Sequence, residues 1–180
     1  MKRLLTTVIF SSFTLWALAQ TYTPSDKDSK VKFVIRNFGI NTDGTFQGVA
    51  GTIHFDPSNL STMAFDVSID AATVNTDNNA RDNHLRKAEY FDVKNFPKIE
   101  FKSTKITRTN SEGYLYMFGN LIIKGVTKDI KFPFKATPKD DGFLFEGEFK
   151  IDRRDFKVGG NSLSLSDDVT VSLSVFAKKV

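Results

Sequence analysis

The chain has no cysteine among its 180 residues, only two histidines and a single tryptophan. Without cysteine there is no disulfide, no thiolate ligand or nucleophile, and no acylated lipoprotein anchor. The histidines, His54 and His84, lack the close spacing of a helical metal pair. A zinc centre would need both of them and a carboxylate to converge through tertiary structure alone. No Gly-x-Ser-x-Gly elbow or phosphate-cradling glycine loop occurs. Gly48-Val49-Ala50-Gly51 and Gly159-Gly160-Asn161 are isolated and read as bulges or turns. No block of five like charges exists and the formal net charge is only +4, which argues against a nucleic-acid partner or a charge-held membrane surface.

The only long apolar stretch opens the chain. Lys2 and Arg3 precede the mostly apolar Leu4 to Leu18, and Ala17-Leu18-Ala19 supplies an A-x-A site. Residues 1–19 therefore read as a secretory signal peptide cleaved after Ala19, which implies an exported protein. Removing Lys2 and Arg3 from the 25 basic residues leaves 23 against 21 acidic ones. No later run approaches the roughly 18 apolar residues of a membrane helix. Residues 20–180 fit one domain, without repeats or a linker, and an exported chain without disulfides must rely on packing. Asn59-Leu60-Ser61 matches a glycosylation sequon, a motif short enough to recur by chance.

What the chain has in excess is phenylalanine, 18 residues of it, which supplies bulk without a polar handle. These residues fall into period-two patterns. Val31, Phe33 and Ile35 alternate with Lys32 and Arg36, and Met63, Phe65, Val67 and Ile69 alternate with Asp66, Ser68 and Asp70. Leu115, Met117, Leu121 and Ile123 share a face with Gly119, and Phe143, Phe145, Phe149 and Ile151 share one with Gly147. Ile130, Phe132 and Phe134 form another face, although Pro133 demands an edge or a bulge. With Val169 to Val175 and segments near 45–55 and 98–107, eight strands are expected. Their apolar faces can be buried in a sandwich or a barrel. Long strands and the removal of exposed edges favour the barrel. Gly119 and Gly147, on inward faces, would vacate volume and favour a hollow interior.

One long connection, RDNHLRKAEYFDVKNFPKIEF with the residues just before it, breaks the pattern. Thr76-Asp77-Asn78 offers N-caps and Ala80 to Tyr90 good helix formers, so one short helix is expected over about 78–88. Asp77 with Arg81, and Asp82 with Arg86, have favourable i,i+4 spacing. His84 near Asp82 invites a general-base reading, but residues two apart on a helix diverge. The competing reading has Arg81, Asp82 and His84 bonding across loop backbones to fix the helix to the sheet.

Several blocks together resemble the YceI-like family. They are Ser29-x-Val31-x-Phe33, Gly48-x-x-Gly51-x-Ile53-x-Phe55-Asp56, and Arg81-Asp82-x-His84-Leu85 with Phe91-Asp92 and Phe96-Pro97-x-Ile99-x-Phe101. Gly119-Asn120-Leu121-x-Ile123-x-Gly125-Val126-Thr127, Ile151-x-Arg153-x-Asp155-Phe156 and Asp168-Val169 complete the series. Lys157 departs from the pattern, since family members often carry glycine after that phenylalanine. The resemblance implies an all-β fold, an extended eight-stranded antiparallel lipocalin-like barrel. It also implies a periplasmic protein whose long tunnel binds an isoprenoid lipid, such as an isoprenoid quinone or a polyprenyl chain.

On that reading Phe33, Ile35, Phe65, Val67, Phe101, Leu121, Phe132, Phe149 and Val171, all on apolar strand faces, would line the tunnel. Arg81, Asp82, His84, Leu85 and Phe91 would close or gate its end. No cofactor or catalytic residue is implied, and a homodimer is left open. Two other classes stay in view. One is an enzyme using His84 and nearby carboxylates at the barrel mouth on a small amphipathic substrate. The other is a stress-related interaction module with the barrel as scaffold.

Overall fold

The computed structural model describes residues 20–180, so the proposed signal peptide lies outside the described residues. Its strands are β1 (Gln20–Pro24), β2 (Lys30–Asn37), β3 (Ile40–Phe55), β4 (Ala64–Asn75), β5 (Lys98–Arg108), β6 (Tyr114–Ile123), β7 (Val126–Lys139), β8 (Gly142–Asp152) and β9 (Leu165–Lys179). One helix, α1 (Asn79–Leu85), joins β4 to β5.

All pairings are antiparallel, and the ring closes through β3–β4 and β2–β9. A sandwich is thereby excluded. β1 pairs with the end of β3 and the end of β9, while β2 pairs with the start of each. The two short strands therefore share one place in an eight-position barrel, interrupted by a 3-10 turn at Asp26–Asp28. That first strand is additional to the eight read from alternation. The 16-residue β3 bends across several partners, and its register with β4 shifts around Gly48, where φ is +77°.

Pro133 is accommodated as a local edge. It pairs with Tyr116 of β6, but the β7–β8 ladder runs only from Phe134↔Gly147 to Lys139↔Gly142. From Pro133 toward the start of β7 the two strands part, so the missing N–H costs no ladder bond there.

The interior has two halves of different character. At one end Tyr22, Ile53, Phe55, Met63, Phe65, Ile106, Met117, Phe134 and Phe145 form a solid plug. Its rings meet mostly edge to face, with Phe55–Phe145 at 5.1 Å, Phe65–Phe145 at 5.2 Å and Phe65–Phe134 at 5.7 Å between centroids. At the other end Val31, Phe46, Val49, Val74, Ile99, Leu121, Ile123, Phe156 and Val158 form a wall. The glycines expected to open the interior do something else. Space beside Gly119 is taken by the Phe101 ring, and a Cβ on Gly147 would meet the Phe132 ring at 3.1 Å. Each glycine lets a ring approach the wall more closely than a Cβ would allow.

The helix is shorter than expected. Asn78 caps it, accepting from the Arg81 N–H at 3.0 Å, and Arg86 ends it. Neither i,i+4 ion pair forms. Asp82 instead accepts from the Thr76 N–H at 2.9 Å and the Thr76 hydroxyl at 2.6 Å. Arg86 donates to the Ala72 and Val74 carbonyls at 2.7 and 2.9 Å. Backbone groups left over where β4 ends compete for these charges, and a charged partner satisfies them better than surface ion pairing would.

Candidate functional site

The half of the barrel away from the plug holds a cavity of ≈ 450 Å³ with a mostly apolar lining. β2 contributes Val31, Phe33, Ile35 and Asn37; β3 contributes Thr42, Phe46 and Val49; β9 contributes Val169, Val171, Leu173 and Val175. The opposite wall is Val67, Ile69, Ile99, Phe101, Leu121 and Ile123. Its floor is aromatic. Phe132 and Phe149 stack at 4.8 Å, and Phe101 lies 5.9 Å from Phe132. This stack spans the place where β7 and β8 part, and the 3-10 turn Arg153–Phe156 covers the gap, with Lys128 and Asp155 3.4 Å apart.

Of the nine residues expected along a tunnel, Phe33, Ile35, Val67, Phe101, Leu121, Phe132, Phe149 and Val171 line the cavity. Phe65 does not; it sits in the solid plug. Alternation assigns a residue to the inner face, but only its height along the barrel decides between plug and cavity. The expected long tunnel is correspondingly a half-length, blind cavity.

At its open end two segments converge. Thr76, Arg81, His84, Leu85, Tyr90 and Phe91 line it from α1 and the return loop. Phe91 packs edge-on against Phe46 at 5.4 Å. Arg81 spends its Nε and one terminal nitrogen on the Thr76 hydroxyl and carbonyl, both at 2.7 Å. Asp82, only 3% exposed, does not line the cavity and is taken up by its bonds to Thr76. His84 bonds no loop backbone. It lies 3.2 Å from Glu89 at the surface and 5.0 Å from the Tyr90 ring.

The second segment is 153–165, anchored by Arg153, which also lines the cavity. Its guanidinium is 4% exposed. It donates to the carbonyls of Ser166, Val158 and Gly160 at 2.9, 2.9 and 3.0 Å, and to Asp167 at 2.8 Å. A buried charge is tolerated because four of the five guanidinium donors are used and every nitrogen has a partner. Lys157 closes the preceding turn at φ 56°, the left-handed region that glycine enters freely. Lysine is thus accommodated there with its backbone retained; the Lys157 carbonyl accepts from Lys124 Nζ at 3.0 Å. Among the described residues, no cluster of three His, Asp or Glu side chains could hold a metal. Nor is any helix long and apolar enough to cross a membrane.

A profile of the YceI-like domain matches residues 22–177. The chain belongs to the YceI-like family. "Protein YceI" of Salmonella arizonae is 34% identical over 154 residues, covering 81% of this chain and 78% of that relative. Among solved structures, Burkholderia cenocepacia BcnA has a TM-score of 0.81 at 23% identity, over 86% of this chain and 99% of BcnA. A Saccharophagus degradans domain, described as polyisoprenoid-binding and implicated in plant cell wall breakdown, has a TM-score of 0.73 at 15% identity, over 91% of this chain and 99% of its own. At those identities the two structures share the YceI-like fold with this chain; the aromatic floor and the two-segment rim come from its own residues.

Proposed function

We propose that this YceI-like barrel is a periplasmic, non-enzymatic carrier that holds the apolar chain of an isoprenoid lipid in its blind cavity. The observation that carries the reading is the cavity itself: ≈ 450 Å³, walled by aliphatic and aromatic side chains and stopped by Phe101, Phe132 and Phe149. A protein of the same fold, the Saccharophagus domain, is described as polyisoprenoid-binding. The charged groups at the rim favour holding over catalysis, because Arg153 and Arg81 are committed largely to backbone carbonyls and hydroxyls. The leader-like N-terminus motivates the periplasmic location.

The volume sets a capacity. An apolar cavity of about 150 Å³ accepts benzene, so three times that volume takes about 18 carbons, or between three and four isoprene units. At about 0.8 kcal/mol per carbon this is about 14 kcal/mol of gross transfer energy, below the affinity ceiling near 20 kcal/mol. Ordering of the chain then removes much of it. A longer polyprenyl tail would leave its remainder and its headgroup at the rim, near Asn37, Thr42, Ser162 and Ser164.

The test is a titration of lipid-free protein with polyprenols of ten, 15, 20 and 40 carbons. Affinity should climb with each unit and level off near 20 carbons. Absence of binding at every length would refute the carrier reading, and a continued climb to 40 carbons would refute the blind cavity.

A further inference from the structure

Three large apolar side chains stand in water at the cavity's open end. Phe38 is 80% exposed, Ile40 71%, and Leu163 fully. They belong to one surface. Asn37 pairs with Ile40 across a two-residue turn and with Leu165 of β9, and the Phe38 N–H donates to the Ser164 carbonyl at 2.8 Å. Their sequence neighbours Asn37, Ser162 and Ser164 line the cavity, so this apolar patch is its rim.

Folding does not account for Phe38. The turn places Phe38 at φ 49° and Gly39 at φ 76°, a pair of left-handed positions suited to Asn-Gly. A bulky aromatic is disfavoured there, and at 80% exposure it gains no burial in return. Beside it Arg36 is exposed and forms no ion pair with a carboxylate among the described residues; its nearest polar partner is Asn41 at 3.4 Å.

We propose that this rim docks on a lipid bilayer. Phe38, Ile40 and Leu163 enter the headgroup boundary, Arg36 meets lipid phosphate, and the cavity mouth is held against the surface that supplies the chain. The proposal rests on the lipid-carrier reading. It favours a bilayer over a protein partner because the patch is continuous with the mouth of an apolar cavity, so a chain can pass without crossing water. Near-balanced overall charge leaves apolar insertion as the main attachment, weak enough to be reversed.

Flotation with vesicles of one part phosphatidylglycerol to three parts phosphatidylethanolamine tests it, beside polyprenol binding in solution. The variant combines Phe38→Asn, which suits the turn and so protects the fold, with Ile40→Thr and Leu163→Ser. Wild type should float. The triple variant should partition about 1,000-fold less, at roughly tenfold per apolar side chain withdrawn, with polyprenol affinity unchanged. Arg36→Gln should lose about fivefold on these anionic vesicles only. Docking is overturned if wild type stays unbound while still taking polyprenol, or if the triple variant floats equally well. A wild-type dimer abolished by the triple variant, without flotation, would overturn it in favour of self-association. Failure of wild type to take polyprenol would remove the carrier reading and docking with it.

Discussion

Truncating Phe149 to alanine should lengthen the lipid that the barrel accepts. Phe149 is half-buried, stacks on Phe132 at 4.8 Å, and packs against both the plug and the cavity wall. Phe-to-Ala changes in cores cost about 3–5 kcal/mol. The low end applies here, since one side of the ring already faces empty space. Against a domain stability of about 5–15 kcal/mol the variant should stay folded. The vacated space approximates one benzene ring, so capacity should grow by about six carbons, or one isoprene unit. In the polyprenol titration the affinity plateau should move from near 20 to near 25 carbons. Phe65→Ala is the control. Phe65 is 7% exposed within the plug, so its loss should cost about 4 kcal/mol without moving the plateau. The reasoning fails if folded Phe149→Ala keeps the wild-type plateau, or if Phe65→Ala shifts it.

Asp82→Ala strands the buried Thr76 N–H and hydroxyl and should destabilise by about 3 kcal/mol in urea unfolding, with Asp82→Asn costing about half as much. His84→Gln should leave stability within about 0.5 kcal/mol, because the exposed pair with Glu89 contributes little. A loss of cavity binding beyond tenfold in that variant would return His84 to a direct role. Burial, and then the nearby Asp56 carboxylate, raise the Tyr22 phenol above its ordinary value near 10. The unfolded chain therefore ionises first: stability is complete below pH 10 and falls as pH rises toward the raised folded value. Tyr22→Phe should flatten that alkaline loss, and an unchanged loss in denaturant titrations from pH 8 to 12 would refute the assignment.

Alternation revealed most of the barrel because each wall strand has one apolar face, and Pro133 correctly marked a break in a ladder. β1 was hidden because its five residues, QTYTP, are too short to establish a period. Its partners lie as far away as Phe55 and Lys179. The same locality explains Phe65. It shares a face with Val67, yet two residues along the strand carry it from cavity to plug. The helix ion pairs failed for a related reason: i,i+4 spacing describes an isolated helix, whereas Asp82 and Arg86 meet the backbone of the segment that precedes it. Arg153 could have been singled out as a charge directly following the apolar alternation of β8, but its carbonyl partners come from a loop whose path no local pattern fixes. The Phe38-Gly39 turn gave no signal of its own in the sequence; its left-handed backbone and its place at the rim required coordinates.

Native mass spectrometry of the protein purified from a bacterial host bears most directly on the carrier claim. The expected species is the chain cleaved after Ala19 with one lipid of isoprenoid mass, recovered as a polyprenyl species on denaturing extraction. The same spectrum reports whether the chain forms a dimer. Protein that emerges without a ligand, and stays empty after incubation with polyprenol, would contradict it.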